Sequence, residues 1–151
     1  MSVTPEDIER LYAEHKLCTE QVAWKRDAAV KYVHQTFTVN VVTEESEQLL
    51  RWIGWYSIKY GESRWGFKLL YRNKYEVRSW DMGSHHYSRE EGRYIRGKGQ
   101  HKHRYRDEGN PRDTYRIPEG EISITDPNQA VIDFAEECSI ELLAGYQSFV
   151  P

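Results

Sequence analysis

The chain has 151 residues, 38% hydrophobic and 30% charged, with a mean hydropathy of -0.84 and a formal net charge of -3. That length suits a single domain spanning 1–151, with a core that needs no disulfide or metal staple. No apolar run approaches the ~18 residues that a membrane-crossing helix requires, which excludes that class of membrane protein.

Eleven Tyr and five Trp supply much of the apolar area. Hydropathy scales undercount such side chains, and an aromatic, β-branched core favours sheet over helix bundle. Met1 to Pro5 has no basic region leading into an apolar stretch, so no secretory signal is expected. Cys18 and Cys138, far apart in the chain, read as reduced, partly buried thiols rather than a disulfide framework. Together these features give a cytoplasmic expectation.

In chain order, Thr4-Pro5-Glu6-Asp7 is a helix start: Thr4 as N-cap, Pro5 in the first turn, then acids at the positive end of the dipole. Ile8, Leu11 and Tyr12 mark one face and carry the helix to about Lys16. Leu17 to Ala29 reads equally as a second short helix or as a run into the sheet. Lys31 to Thr43 alternates, with Val33, Phe37, Val39 and Val41 on one side.

Leu49 to Tyr60 follows, with Trp52, Tyr56, Ile58 and Tyr60 in one parity. Past a turn at Gly61 to Ser63, Trp65, Phe67, Leu69 and Tyr71 share the next. After Asn73-Lys74 come Tyr75, Val77 and Ser79, with Trp80 beyond. Strands joined by turns this short form an antiparallel meander. The shared parity makes these rings one packed face rather than a base-stacking platform.

Gly83 to Gly99 is polar and reads as a long loop or irregular hairpin. Gln100 to Arg106 alternates as a strand, and Thr114 to Ile117 adds a short one. Asp126-Pro127-Asn128-Gln129 opens a C-terminal helix with an N-cap, a first-turn proline and a capping-box partner. Its stripe is Val131, Phe134, Ala135, Cys138 and Leu142. The expected fold class is therefore α+β: an antiparallel sheet of four to six strands with N-terminal and C-terminal helices.

Charge is uneven along this frame. Ser84 to Arg106 holds seven cations against Glu90 and Glu91, a local balance of +5 that leaves -8 for the rest. Four of the six histidines, His85, His86, His101 and His103, lie in the same window. A basic stretch of this kind suits an anionic partner, and RNA is the expected one.

On an extended strand His101, His103 and Tyr105 share one face, with Lys102 and Arg104 on the other. Two imidazoles at i and i+2 stand roughly 6.5–7 Å apart at the backbone, a span that brackets a phosphodiester. Metal-free RNA cleavage needs a base for the 2′-hydroxyl, an acid for the leaving oxygen and cations for the crowded phosphate. Imidazoles suit both proton transfers, and Arg and Lys suit the charge.

The expected catalytic residues are thus His101, His103 and Tyr105, with Arg93, Arg96, Lys98, Lys102 and Arg104 binding nucleic acid. A metal site is the second reading of H-x-H, completed by His85 or His86 with Asp81 or Glu90. No CxxC or H-E-x-x-H accompanies the pair, and no Walker-type loop or G-x-S-x-G elbow is present, so neither metal nor cofactor is expected.

Gly97-Lys98-Gly99-Gln100-His101-Lys102-His103, ahead of an amphipathic terminal helix, resembles the G-K-x-D-H-x-H stretch of TumE-like toxins. The likeness covers about Val77 to Leu142, and Gln100 stands where that family carries an acid. It implies a small α+β toxin acting on RNA and neutralised by an antitoxin partner. The reading from the residues alone leaves an alternative open: a non-catalytic regulator, such as a phage-encoded inhibitor, that docks its basic 84–106 segment on nucleic acid or an acidic protein. Under that alternative Arg93→Glu and Arg96→Glu matter more than changes to the histidines.

Overall fold

The computed structural model describes residues 3–29, 33–58, 61–82 and 122–151, and the backbone of 59, 86–88, 93–95, 100–104 and 113–116. The helix α1 (Pro5–Ala13) starts as expected. The Thr4 hydroxyl accepts from the Asp7 amide, and the Asp7 carboxylate accepts from the Thr4 amide. This reciprocal pair satisfies two of the donors that a helix start leaves open.

The helix ends three residues before Lys16, which instead opens β1 (Lys16–Cys18). The ambiguous stretch after it is extended, with β2 (Val22–Ala23) and β3 (Lys25–Arg26). The long strands β4 (Val33–Thr43), β5 (Leu49–Lys59), β6 (Glu62–Tyr71) and β7 (Tyr75–Met82) form the expected antiparallel meander. Arg72 and Asn73, both at φ +55°, make the tight turn between β6 and β7. Two successive left-handed residues match the twist of a hairpin.

Beyond the meander, β8 (His86–Ser88) pairs with β9 (Arg93–Ile95) as a separate hairpin, and β10 (Gln100–Arg104) pairs with β7 and β11 (Asp113–Arg116). The helix α2 (Pro127–Glu137) is capped by the Asp126 carboxylate, which accepts from the Asn128 amide. Gln129 does not close a capping box; its amide donates to Asp133.

The helix also stops short of Leu142, contrary to the expected stripe. Ser139, at φ +55°, ends it, and the chain enters β12 (Ile140–Leu142), parallel to β1. A last strand, β13 (Tyr146–Gln147), pairs with β2.

The main sheet runs β11-β10-β7-β6-β5-β4-β1-β12, with β3 also on β4, nine strands in all. It is larger than the expected four to six, because β1 and β12 extend one edge and β3 pairs with β4, beside the expected meander and the strands β10 and β11. It is mixed rather than purely antiparallel, because β12 leaves a helix instead of a hairpin.

Both helices cover one face. Phe134 of α2 stacks on Trp52 at 5.9 Å and lies 5.2 Å from Phe67, which stacks in turn on Trp80 at 6.1 Å. Trp52, Tyr56, Trp65 and Phe67 are buried there, as their parity required, while Tyr71 packs at the margin. Gly54 admits the Phe37 ring, since a Cβ there would lie 2.0 Å from Phe37 Cε2. Cys18, on β1, and Cys138 are both buried free thiols. Among the described residues no helix is long and apolar enough to cross a membrane.

Lys16 joins the two helices. It is fully buried, and its Nζ donates to the carbonyls of Tyr12, Glu14 and Cys138, each at 2.7 Å. One ammonium therefore closes the C-terminal ends of α1 and α2, where the helix dipoles are negative. Burial pushes Lys16 down to about 8. Arg78, also buried, lies 3.8 Å over the Tyr12 ring on the same side of the sheet.

A candidate catalytic face of the sheet

The path to the site begins with a β-bulge. Leu69 pairs with Arg78 but Leu70 pairs with Glu76, so Val77 is an extra residue in β7. An inserted residue reverses the parity that follows it. Tyr75 sits opposite Tyr71 on the helix-covered side; past the bulge, Arg78 and Trp80 take that side, and Ser79 and Asp81 turn to the opposite face. The simple alternation of Tyr75, Val77 and Ser79 therefore does not hold.

The consequence reaches β10. Position 101 pairs with Asp81 and position 103 with Ser79, while position 102 pairs with Trp80. Directly opposed residues of an antiparallel pair share a face. Positions 101 and 103 thus belong to the face away from both helices, and position 102 to the parity of the aromatic core.

Two rows cross the sheet through these positions. One runs Thr36, Trp55, Gly66, Asp81, 101 and Arg116; the next runs Thr38, Ile53, Lys68, Ser79, 103 and Thr114. Asn40, Arg51 and Leu70 continue the same face at one end, and His34, Ser57 and Arg64 at the other. This face mixes polar and charged residues with Trp55, Ile53 and Leu70; Thr38, Asn40, Arg51 and Lys68 on it are exposed, whereas Ser79 and Gly66 are buried.

Trp55 lies across Gly66. A Cβ at Gly66 would meet Trp55 Nε1 at 2.7 Å and Asp81 Cβ at 2.7 Å. Only glycine lets the indole settle on the strand beside Asp81, so Asp81 has an aromatic wall on its β6 side and position 101 on its β10 side. Asp81 is half-buried, and Ser79 is buried at 1% exposure. Among the described residues the Ser79 Oγ has no hydrogen-bond partner. Lys68, in the row of 103, is exposed and lies 3.7 Å from Glu76. Arg64 pairs with Glu62 at 2.9 Å.

Of the residues expected to act, His101, Lys102, His103 and Arg104 lie on β10 and Arg93 on β9. Tyr105, Arg96 and Lys98 lie outside the described residues. Three neighbours were not anticipated in this role. Asp81 was considered only as a metal ligand, and Lys68 and Arg116 not at all. Trp55 did leave a signal: it is the one ring of β5 out of step with Trp52 and Tyr56.

Among the described residues no group of three or more His, Cys, Asp or Glu is placed to hold a metal ion. Compared with known proteins, the chain matches no family model, no curated protein and no solved structure.

Proposed function

We propose that the chain is a toxin-like, metal-independent ribonuclease that acts in the cytoplasm, with His101 and His103 as its proton-transfer residues. One observation supports this most: positions 101 and 103 sit on a strand inside the sheet, on the face opposite both helices, in register with Asp81 and Ser79. Positions 101 and 103, two residues apart on one side of a paired strand, keep the constant backbone separation that the sheet sets. A catalytic pair needs that constancy, and a loop does not supply it.

Cleavage proceeds by attack of the 2′-oxygen on the adjacent phosphorus. The O2′–P bond forms and the P–O5′ bond breaks. One imidazole takes the 2′-hydroxyl proton, and the other gives a proton to the departing 5′-oxygen. The products are a 2′,3′-cyclic phosphate and a free 5′-hydroxyl, with no co-reactant.

Charge on the crowded phosphate falls to cations in the two rows. Arg116 pairs with position 101, and Lys68 lies two strands from 103, roughly 10 Å at the backbone and within reach of a lysine side chain plus a phosphate. Arg93, Arg96 and Lys98 of the basic segment are assigned to the flanking backbone. Lys102 and Arg104, on the other parity of β10, are assigned to substrate that wraps round the strand edge. The likeness of the G-K-x-x-H-x-H stretch to TumE-like toxins adds an antitoxin as the expected protein partner.

The test is incubation of the purified chain with an unstructured RNA in excess EDTA. The expected result is cleavage with 2′,3′-cyclic phosphate ends. Uncut RNA, or cutting that appears only when a divalent metal is restored, overturns the reading.

A further inference from the structure

Residues 146–149 are held by the rest of the fold as a bound peptide would be. β13 adds in parallel to β2, in a two-stranded sheet apart from the main one, with Tyr146 opposite Val22 and Gln147 opposite Ala23. Two residues on, the Asn128 side chain takes the place of a strand. Its Nδ2 donates to the Phe149 carbonyl at 2.9 Å, and its Oδ1 accepts from the Phe149 amide at 3.1 Å. A carboxamide carries one donor group and one acceptor, so it can meet both backbone groups of a single residue.

The side chains are read as well. The Phe149 ring lies 5.4 Å from Trp24 and 5.1 Å from Tyr56, edge-on to the latter, and Trp24 leans on Phe37 at 4.8 Å. The Tyr146 hydroxyl accepts from Trp24 Nε1 at 2.7 Å and donates to Asn128 Oδ1 at 2.6 Å. This cleft selects two aromatic residues three positions apart on an extended backbone. Main-chain pairing with side-chain pockets is how peptides are recognised by strand addition.

The tether is short. β12 ends at Leu142, and residues 143–145 lead from it to β13. Gly145 turns the chain there at φ +80°, with nothing within 4 Å of where its Cβ would stand. Straightening that one residue carries 146–149 away from its own cleft. Leu143, 55% exposed, then lies where two opened copies would meet.

We infer that this cleft is a peptide site filled in cis by residues 146–149, and that its partner in trans is the same segment of a second copy, giving a dimer by exchange. Tyr146 and Phe149 of an identical chain are the pair whose fit the fold itself displays. Exchange remakes each contact, so its cost falls on the tether and on association. The inference is independent of the ribonuclease reading.

The experiment turns on Gly145. A segment on a short tether competes at an effective concentration on the order of millimolar, so the unaltered chain should be monomeric at micromolar concentration. Valine strongly resists the left-handed turn that cis closure needs and favours the extended tether of the exchanged form. Gly145→Val should therefore tighten the dimer by roughly tenfold for each of its two tethers, about 100-fold in all. Phe149→Ala or Asn128→Ala, added to Gly145→Val, should return the chain to monomer. Sedimentation and native mass spectrometry read these states, beside thermal melts that verify folding.

A folded Gly145→Val chain that stays monomeric overturns the inference. So does a dimer that survives both added substitutions, since it would use another surface. Should Gly145→Val fail to fold, the unaltered chain decides: two differently isotope-labelled samples, mixed at about 1 mM, should show NOEs between Asn128 of one copy and Phe149 of the other. Their absence overturns it equally.

Discussion

His103→Ala and His101→Ala are each expected to slow RNA cleavage by roughly 10²–10⁴-fold, the usual worth of a positioned acid or base. The loss should appear in kcat rather than KM, since proton transfer matters in the transition state and not in binding. The double variant should be little worse than either single one, because the pair acts as a unit. Neither change is expected to move Tm by more than about 2 °C, since both positions lie on the face of the sheet opposite the helices. Steady-state kinetics on a short fluorogenic RNA, run beside thermal melts, checks all of this. Equal loss of activity and Tm would mean that the histidines hold the sheet rather than the reaction.

The largest expected effect on stability comes from Lys16→Met. Methionine fills similar volume but strands the three carbonyls of Tyr12, Glu14 and Cys138 in a buried place. Leaving buried acceptors unpaired costs about 1–3 kcal/mol each at most, and partial relaxation makes roughly 3 kcal/mol in total a sensible figure. For a chain of this size that is a fall in Tm of about 10 °C.

The effect should also depend on pH. Burial pushes Lys16 down to about 8, whereas an unfolded lysine keeps its proton to about 10.4. Between those values the unfolded chain binds more protons, so this residue makes the fold more stable as pH rises. The gap between the parent chain and Lys16→Met should therefore widen from pH 8 to pH 10. Tyr146 acts the other way: burial pushes it up to about 12, so its contribution is complete below pH 10 and is lost as pH climbs through 12. Denaturant melts from pH 7 to pH 10 measure the gap, and a gap that stays flat would show that Lys16 is not driven down by burial.

The meander was legible because β4, β5 and β6 each show a dominant hydrophobic parity between turns. The rings of Trp52, Tyr56, Trp65 and Phe67 announced a common face, and Thr4 and Asp126 announced their helices. What escaped was set by single residues with no local signature. An extra Val77 reversed the parity of β7, and nothing in Tyr75 to Trp80 marks it, because all six residues are buried. A left-handed Ser139 turned the expected end of α2 into a parallel strand.

The H-x-H pair was found from composition and alternation alone, and its strand lies where that alternation put it. Its neighbours were not found, because Asp81, Lys68 and Arg116 reach it only through pairing between strands distant in sequence. Lys16, too, read as the tail of a helix. Its role emerges only when residue 138 comes back to meet it.

Everything proposed for the histidines rests on the register between β7 and β10, because a slip of one residue carries both positions to the helix-covered face. Cross-strand NOEs in the NMR spectrum of the full chain report that register directly. The expected result is backbone contacts, Hα to Hα or amide to amide, between residues 81 and 101 and between 79 and 103. Contacts linking 81 instead to 100 or 102 would set the histidines beside the aromatic core and contradict the catalytic assignment.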